Sequence, residues 1–507
     1  MTGLATDVSA PPTHTPQSRW RWPLVGLLIG FAGLATSTGV ALALDIDHSP
    51  VVAVADAVIR ITPGGISHFL IELVGTYDKL LLVIGTLILS AALYAGLGAL
   101  ARSSHALALV GFVLISGVGA AAVISEPRYE VRDLAPVVIG FITWVIGLAV
   151  LRPAAEAAGR RRFLLTSTAV FGVGVVAYGF GQMIGQGRAK VEAARDALML
   201  AVTSPRAPAG TDFGLGQPWQ TPSDDFYRID TSLVPPAVDP ATWTLRIHGL
   251  VDNPLEITFD DLTGRTLTEA WITLNCVSNE VGGDLIGNAW WSGVRLAEVL
   301  AEAGVQDGAD AVLQTSHDGW TCVTPLSALT DDRNAILAVA MNGEPLTIEH
   351  GFPVRAVVPG LYGYVSATKW VVEMKVTTFA EDEGYWTSRG WTALGPNKLA
   401  SRIDVPTAGD TVGAGPVTIA GTAWRQGVGV KSVEVSVDGG PWTAADLATT
   451  PNVDTWVQWR TDVDLAPGSH IARVRATDET GFAQSGVELP PAPNGSEGWH
   501  TVEFAVM

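Results

Sequence analysis

The stretch TLNCVSNEVGGDLIG, Thr273 to Gly287, places one of the chain's two cysteines in a glycine-rich turn directly after an apolar, β-prone run. Trp271, Thr273 and Asn275 alternate ahead of Cys276, and Gly282 and Gly283 follow it. A strand therefore ends at the cysteine and a loop begins there, the setting in which functional side chains concentrate. A free cysteine is most often a small buried hydrophobe, and Cys322, between Thr321 and Val323, fits that description. Cys276 itself reads in three ways: as such a residue, as a nucleophile approached in space by His350, or as a thiolate ligand to a metal whose other ligands come from a cofactor. Outside the cytoplasm the two cysteines could form one disulfide, but they cannot build a cysteine-rich zinc site.

Upstream, the composition changes character. At 507 residues the chain exceeds what one core sustains, and its apolar residues crowd into the first 185 positions or so. Five stretches have the length and composition of membrane spans: Trp22 to Leu44, Leu80 to Leu100, Ala106 to Ile124, Leu134 to Leu151 and Phe163 to Ile184. Between the first two, VVAVADAVIRITPGGISHFLIEL carries Asp56, Arg60 and the Pro63-Gly64-Gly65 break, and reads as an interfacial or re-entrant segment, with a sixth span as the alternative. Arginines at 19, 21, 102, 152 and 160–162 mark alternate loop ends as cytoplasmic, which puts everything after Gly187 outside the cytoplasm. The run Arg160-Arg161-Arg162-Phe163-Leu164 before an apolar stretch resembles a twin-arginine export signal. His68 and His105 sit near opposite ends of spans, an arrangement unsuited to haem ligation, and no haem is predicted.

The domains expected are a cytoplasmic N-terminus (1–21), a transmembrane domain (22–187), a linker (188–210) that reads as a flexible leash, an α+β domain (211–400) and an all-β domain (401–507). In the last, KSVEVSVDGGPW and WHTVEFAVM alternate apolar residues about tight turns, the pattern of an immunoglobulin-like sandwich. The net charge of −19 excludes a nucleic-acid partner, because phosphate binding needs clustered cations. Within the α+β domain, HGFPVRAVVPGLYGYVSATKW sets His350, Arg355 and Lys369 around Gly360 and Gly363. Cations beside glycine-rich backbone suit a phosphate-bearing ligand, though solvated surface charge accounts for them equally well.

TLNCVSNEVGG, WWSGVRLAEVL, DGWTCVTPL and HGFPVRAVVPGLYGYVSATKW stand in the order and spacing of the sulfite oxidase family of molybdenum enzymes, which the chain resembles from about Pro218 onward. The resemblance implies a sulfite-oxidase-type molybdopterin domain followed by an immunoglobulin-like dimerisation domain. It implies that Cys276 ligates molybdenum, with one molybdopterin supplying the other sulfurs. By the same resemblance Phe226, Tyr227, Asn279, Ser316, His350, Arg355, Thr368 and Lys369 bind the cofactor. Beside them Arg228, Trp291 and Trp320 are expected in the wall of the substrate pocket, Arg228 and Trp320 with catalytic roles. Sulfite-oxidising members carry an arginine after the Cys-x-x-Asn turn, where this chain has Glu280, and a tyrosine where it has Trp320. An acid repels an oxyanion and an indole cannot relay a proton, so sulfite is an unfavoured substrate and sulfoxide reduction is the rival chemistry. Electrons are expected to pass to or from an external cytochrome or quinone-linked carrier, the enzyme being anchored in the plasma membrane and able to pair as a homodimer through its C-terminal domain. A metal-free receptor or scaffold reusing the fold is the reading from another class.

Overall fold

A computed structural model describes residues 20–46, 49–62, 78–156 and 160–507. The chain divides into two compact units that meet in sequence at Gly187 and Arg188.

The first unit is helical: α1 (Arg21–Ala43), α2 (Pro50–Ile61), α3 (Asp78–Ala101), α4 (His105–Ile124), α5 (Ala135–Glu156) and α6 (Arg160–Ile184). All but α2 are long and apolar enough to cross a membrane, which makes five, matching the expected stretches. α1 is the hub, because its glycines admit neighbours at backbone distance. A side chain at Gly26 would collide with α3 at Tyr94 and Gly98, one at Gly33 with the Trp144 ring of α5, and one at Gly39 with α6 at Ala177. Where no water drives helices together, small residues of this kind let dispersion and polar contacts hold them. Trp144 Nε1 donates to Gly30 O at 3.1 Å, and the Thr36 and Thr143 hydroxyls meet at 3.0 Å. The twelve residues of α2 extend only about 18 Å, too short to cross. Its Arg60 clamps Glu126 through both guanidinium nitrogens at 2.9 and 2.8 Å. His68 and the Pro63-Gly64-Gly65 break lie outside the described residues, while His105 opens α4.

In the second unit, residues 188–210 are not the leash their polarity implies. Val191, on α7 (Gly187–Asp196), is buried in a cluster with Phe226 and Trp291. Arg195 donates to the carbonyls of Leu346 and Pro345 at 2.8 and 3.0 Å. Thr203 donates through its amide and hydroxyl to Glu269 at 2.7 and 2.8 Å. The polar side chains that read as solvated satisfy backbone and carboxylate acceptors of the domain that follows.

That domain is α+β, as expected. One sheet runs in the order β2 (Leu255–Thr258), β1 (Thr244–Gly249), β10 (Val371–Thr377), β5 (Ala311–Ser316), β6 (Thr321–Pro325). The other runs β3 (Thr268–Asn275), β4 (Ile286–Arg295), β7 (Ile336–Met341), β8 (Glu344–Pro345), with β9 (Arg355–Val357) also on β7. β3 and β4 are antiparallel, and their last pair is Asn275 with Ile286. Everything from Cys276 to Leu285 is therefore the loop of this hairpin.

The C-terminal domain is a two-sheet sandwich, with β11 (Ala400–Val405), β13 (Gly415–Trp424), β17 (Val457–Leu465) and β16 (Asp446–Leu447) in one sheet. The other contains β12 (Thr411–Val412), β19 (Thr501–Val506), β18 (Gly468–Asp478), β14 (Val430–Val437) and β15 (Thr443–Ala444). The expected alternation holds: Val433, Val435, Val502, Phe504 and Val506 are buried in its core. The Asp438-Gly439 turn takes positive φ of 53° and 72°, as a two-residue hairpin requires.

β3 is an edge strand, and the sandwich covers that edge. Thr273 N donates to Asp454 O at 2.9 Å, Trp456 N donates to the Thr273 hydroxyl at 2.8 Å, and Asn452 Nδ2 donates to Trp271 O at 3.1 Å. Trp219 and Trp456 are fully buried here, and each indole donates to the other's backbone carbonyl, at 3.2 and 2.8 Å. Trp456→Ala is expected to cost about 3–5 kcal/mol, the cavity left by a large aromatic. Trp442→Ala, on the half-exposed outer face of the sandwich, is expected to cost far less. Denaturant unfolding of the two variants measures the difference.

Candidate active site

Cys276 is 9% exposed, and its amide extends the β3–β4 ladder by one bond, donating to Leu285 O at 2.9 Å. Asn279 staples the turn from inside. Its amide donates to Cys276 O at 3.1 Å, and its Oδ1 accepts from Leu285 N at 2.9 Å. Gly282 has φ of +80°, and a side chain there would strike the His500 ring, so the turn needs glycine on both counts. Burial pushes the Cys276 thiol up, with hydrogen bonds from Ser278 opposing. A cysteine nucleophile needs the reverse shift and a base beside it. His350 is not that base, since its Nε2 donates to Phe226 O at 3.2 Å and its Nδ1 meets the Thr347 hydroxyl at 2.8 Å. A metal ion, by contrast, deprotonates a coordinating thiol outright.

The cationic stretch folds beside this turn. Phe226 stands edge-on to His350 and to Trp291, with ring centres 5.9 and 5.5 Å apart, and stacks on Tyr227 at 5.3 Å. Burial, with Arg355 next in effect, holds His350 down at about 4, so the ring is neutral and pins the Phe226–Asp230 segment. Arg355 lies over Trp291 at 5.1 Å and donates through Nη1 to His350 O at 3.2 Å. Its Nε is buried with no hydrogen-bond partner, and no carboxylate pairs with it among the described residues. Burial lowers Arg355 to about 10, with Tyr227 opposing, which leaves it charged at neutral pH. Lys369 is compensated instead, bonded to Asp230 at 2.8 Å and to Glu349 O at 3.1 Å.

Ser316, at the end of β5, has a buried hydroxyl with no partner. Thr368 meets Cys322 Sγ at 3.2 Å, so Cys322 is structural, its thiol pushed by burial to about 11. Tyr227 is raised above the ordinary phenol range by burial first, with the Cys276 thiol adding and Arg355 opposing.

Tyr227, Arg228, Asp225, Gln217, Asp284 and Leu285 are among the residues lining a cavity of ≈ 420 Å³ between the 216–228 segment and the Cys276 loop. Of the three expected wall residues Arg228 lines this cavity, and two stand elsewhere. Trp291 is fully buried behind Arg355, its indole donating to Ile272 O at 3.1 Å, so it supports the site from the core. Trp320 is in the β5–β6 turn and is not among the residues lining the cavity. Glu280 lines a separate cleft of ≈ 20 Å³ with Ser496 and Glu497 of the sandwich. Tyr362 is a neighbour the sequence did not single out: burial, with Cys276 adding, raises it to about 12.

The profile of the "Oxidoreductase molybdopterin binding domain" matches residues 232–386, and that of the "Bacterial Ig domain" matches 401–474. The uncharacterized oxidoreductase YuiH of Bacillus subtilis is 35% identical over 178 residues, which cover 35% of this chain and 86% of the relative. Human mitochondrial sulfite oxidase is 32% identical over 272 residues, 45% of this chain and 49% of the human protein. The chain belongs to the sulfite oxidase family of molybdopterin oxidoreductases. It spans about half the length of the mammalian sulfite oxidases it matches. Among solved structures, the sulfane dehydrogenase SoxCD from Paracoccus pantotrophus aligns with a TM-score of 0.51 at 26% identity, over 59% of this chain and 86% of that one.

The family's cofactor is molybdenum held by molybdopterin, and the residues here fit it. A soft thiol stands at a rigid strand end, and a buried guanidinium and a buried serine hydroxyl each keep hydrogen-bonding capacity that the protein does not use. An uncompensated buried cation costs several kcal/mol, a cost that an anionic ligand offsets. Arg355→Met is therefore expected to reduce retained molybdopterin at least tenfold, about 1.4 kcal/mol of binding. The thermal midpoint of the cofactor-free protein should stay level or rise. Pterin content and melting curves give the two results.

His350 and His500 are both lowered to about 4, by burial first. The unfolded chain therefore binds these protons first, and stability present above pH 6.5 is lost as pH falls towards 4. Melting the cofactor-free protein across that window is expected to show the fall, and His500→Gln to make it shallower.

Proposed function

We propose that the protein is a membrane-anchored molybdenum oxidoreductase whose catalytic domain lies outside the cytoplasm. It carries out two-electron oxygen-atom transfer on a neutral or zwitterionic sulfur compound in preference to sulfite, exchanging electrons with a separate carrier. The five apolar helices and the arginines at alternate loop ends support the anchoring and orientation. The observation that carries the chemistry is the buried Cys276 thiol at the end of β3, with Arg355 uncompensated nearby.

When bound, the molybdenum supplies the two-electron and oxo chemistry. Cys276 ligates the metal. Arg355, Ser316, Thr368 and Lys369 would contact the pterin and its phosphate, and His350, through its bond to Phe226 O, would keep the neighbouring segment in place. Asn279 keeps the thiol in place through the turn. Arg228 and the Tyr227 phenol, which its surroundings keep protonated, offer donors to a substrate oxygen in the ≈ 420 Å³ cavity. Asp225 and Asp284 oppose Arg228 there, so the lining charges sum to one negative. That balance disfavours a dianion and tolerates a neutral sulfur–oxygen group. The SoxCD likeness, to a protein described as a sulfane dehydrogenase, supports sulfur as the reacting element.

Purified full-length protein is expected to hold stoichiometric molybdenum and Cys276→Ser to lose most of it. Equal and negligible metal in both would overturn the reading. With dye donors and acceptors, organic sulfoxides or sulfides should turn over with kcat/KM about tenfold or more above sulfite, a difference of at least 1.4 kcal/mol. Asp284→Asn is expected to narrow that gap, most at low ionic strength, where exposed charges are least screened.

A further inference from the structure

We propose that Arg402, in the first strand of the sandwich, is a positioning residue that clamps the two walls of the active-site cavity, making the C-terminal domain a working part of the site. The proposal rests on the reading of Cys276 as the metal ligand.

The Arg402 side chain is only 4% exposed, and its guanidinium reaches three separate acceptors. Nε donates to Asp404 Oδ1 at 2.6 Å, Nη1 to Gly283 O at 2.6 Å, and Nη2 to Gln217 Oε1 at 2.7 Å. Gly283 belongs to the turn that Cys276 opens, next to Asp284 on the cavity wall, and Gln217 lines the facing wall. One rigid planar group therefore sets the separation of the walls, and Asp404 holds that group in orientation. Lysine would keep the charge, but its three donors sit on one flexible atom and lack the planar fork that spans acceptors on the two walls.

Other sandwich residues brace the same loop. Ser496 Oγ donates to Asn279 O at 2.6 Å. The His500 ring packs on Gly282, and its Nδ1 accepts from Ile403 N at 3.0 Å. Gln458 Nε2 holds the Gln217 carbonyl at 2.8 Å, fixing the far wall. The Trp219–Trp456 pair and the capped β3 edge tie the two domains together at places apart from these. What the Arg402 group adds is control of a loop one residue from the cavity and seven from the thiol.

The test uses full-length protein with three variants: Arg402→Lys, Ser496→Ala, which cuts one brace without touching charge, and Trp456→Ala, which weakens the seam without touching the turn. Amide exchange of residues 276–285 is measured on metal-free protein, and KM, kcat and the Mo(V) electron paramagnetic resonance spectrum on loaded protein. Arg402→Lys is expected to retain molybdenum, to speed exchange in the turn at least tenfold, to raise KM more than it lowers kcat, and to shift the Mo(V) signal. Ser496→Ala should move exchange in the same direction by less. Trp456→Ala should lower stability with these readouts near wild type.

Wild-type exchange, KM and Mo(V) signal in Arg402→Lys would overturn the proposal. So would an equal response from Trp456→Ala, which would mark Arg402 as domain glue. If Arg402→Lys does not fold, unchanged exchange in Ser496→Ala overturns the bracing of the turn. Wild-type protein without molybdenum would instead overturn the reading of Cys276, while exchange in the metal-free turn still decides the role of Arg402.

Discussion

The pairing of β3 with β4 is the constraint on which the rest of the structure depends. Its last rung, Asn275 with Ile286, leaves a loop whose first residue is Cys276, and the Cys276–Leu285 bond carries the ladder one step into that loop. A strand end is among the stiffest places from which to present a side chain, because its backbone donors and acceptors are already committed. β3 is nevertheless an edge, and an open edge frays or finds a partner. The sandwich removes that liability by bonding to Trp271 and Thr273, which commits the strand up to the residues that precede the thiol.

Charge distribution separates the roles of the neighbouring cations. Lys369 pairs with Asp230 and Arg402 with Asp404, so each has a counter-charge within the protein. Arg355 has no such partner, lies against the Trp291 face and keeps an unused donor in a dry setting. A fold selected for stability alone would pair or replace that charge. Its persistence beside a buried thiol is what binding of an anionic, metal-bearing group would explain.

The helical unit is assembled on a different rule. Among the described residues its contacts to α1 run through glycines that bring backbones together, with the Trp144–Gly30 and Thr36–Thr143 bonds as polar fasteners. The apolar faces of α3, α4 and α6 stay exposed, as lipid-facing helices would leave them. After Gly187 the polar segment that sequence reads as loose is bonded to the catalytic domain at Arg195, Thr203 and Ser204. A polar residue looks the same in sequence whether its partner is water or a carbonyl brought near by folding.

The sequence by itself determined the elements whose signal is local. Long apolar runs specify helices of membrane-crossing length, and alternation around Asp438-Gly439 specifies sandwich strands, because each depends on the period of one segment. The spacing of His350, Arg355 and Lys369 and the turn after Cys276 pointed to the site for the same reason, their motifs being short and contiguous. Only tertiary structure decided what each side chain faces. It put Trp291 behind Arg355 rather than on the cavity, Trp320 in the turn where its carbonyl accepts from Ser316 N, and Glu280 at the domain seam. It also brought Arg402, well over a hundred residues from Cys276 along the chain, onto the loop that holds the thiol. Such contacts are set by how two domains pack across a strand edge, and no pattern within either segment records them.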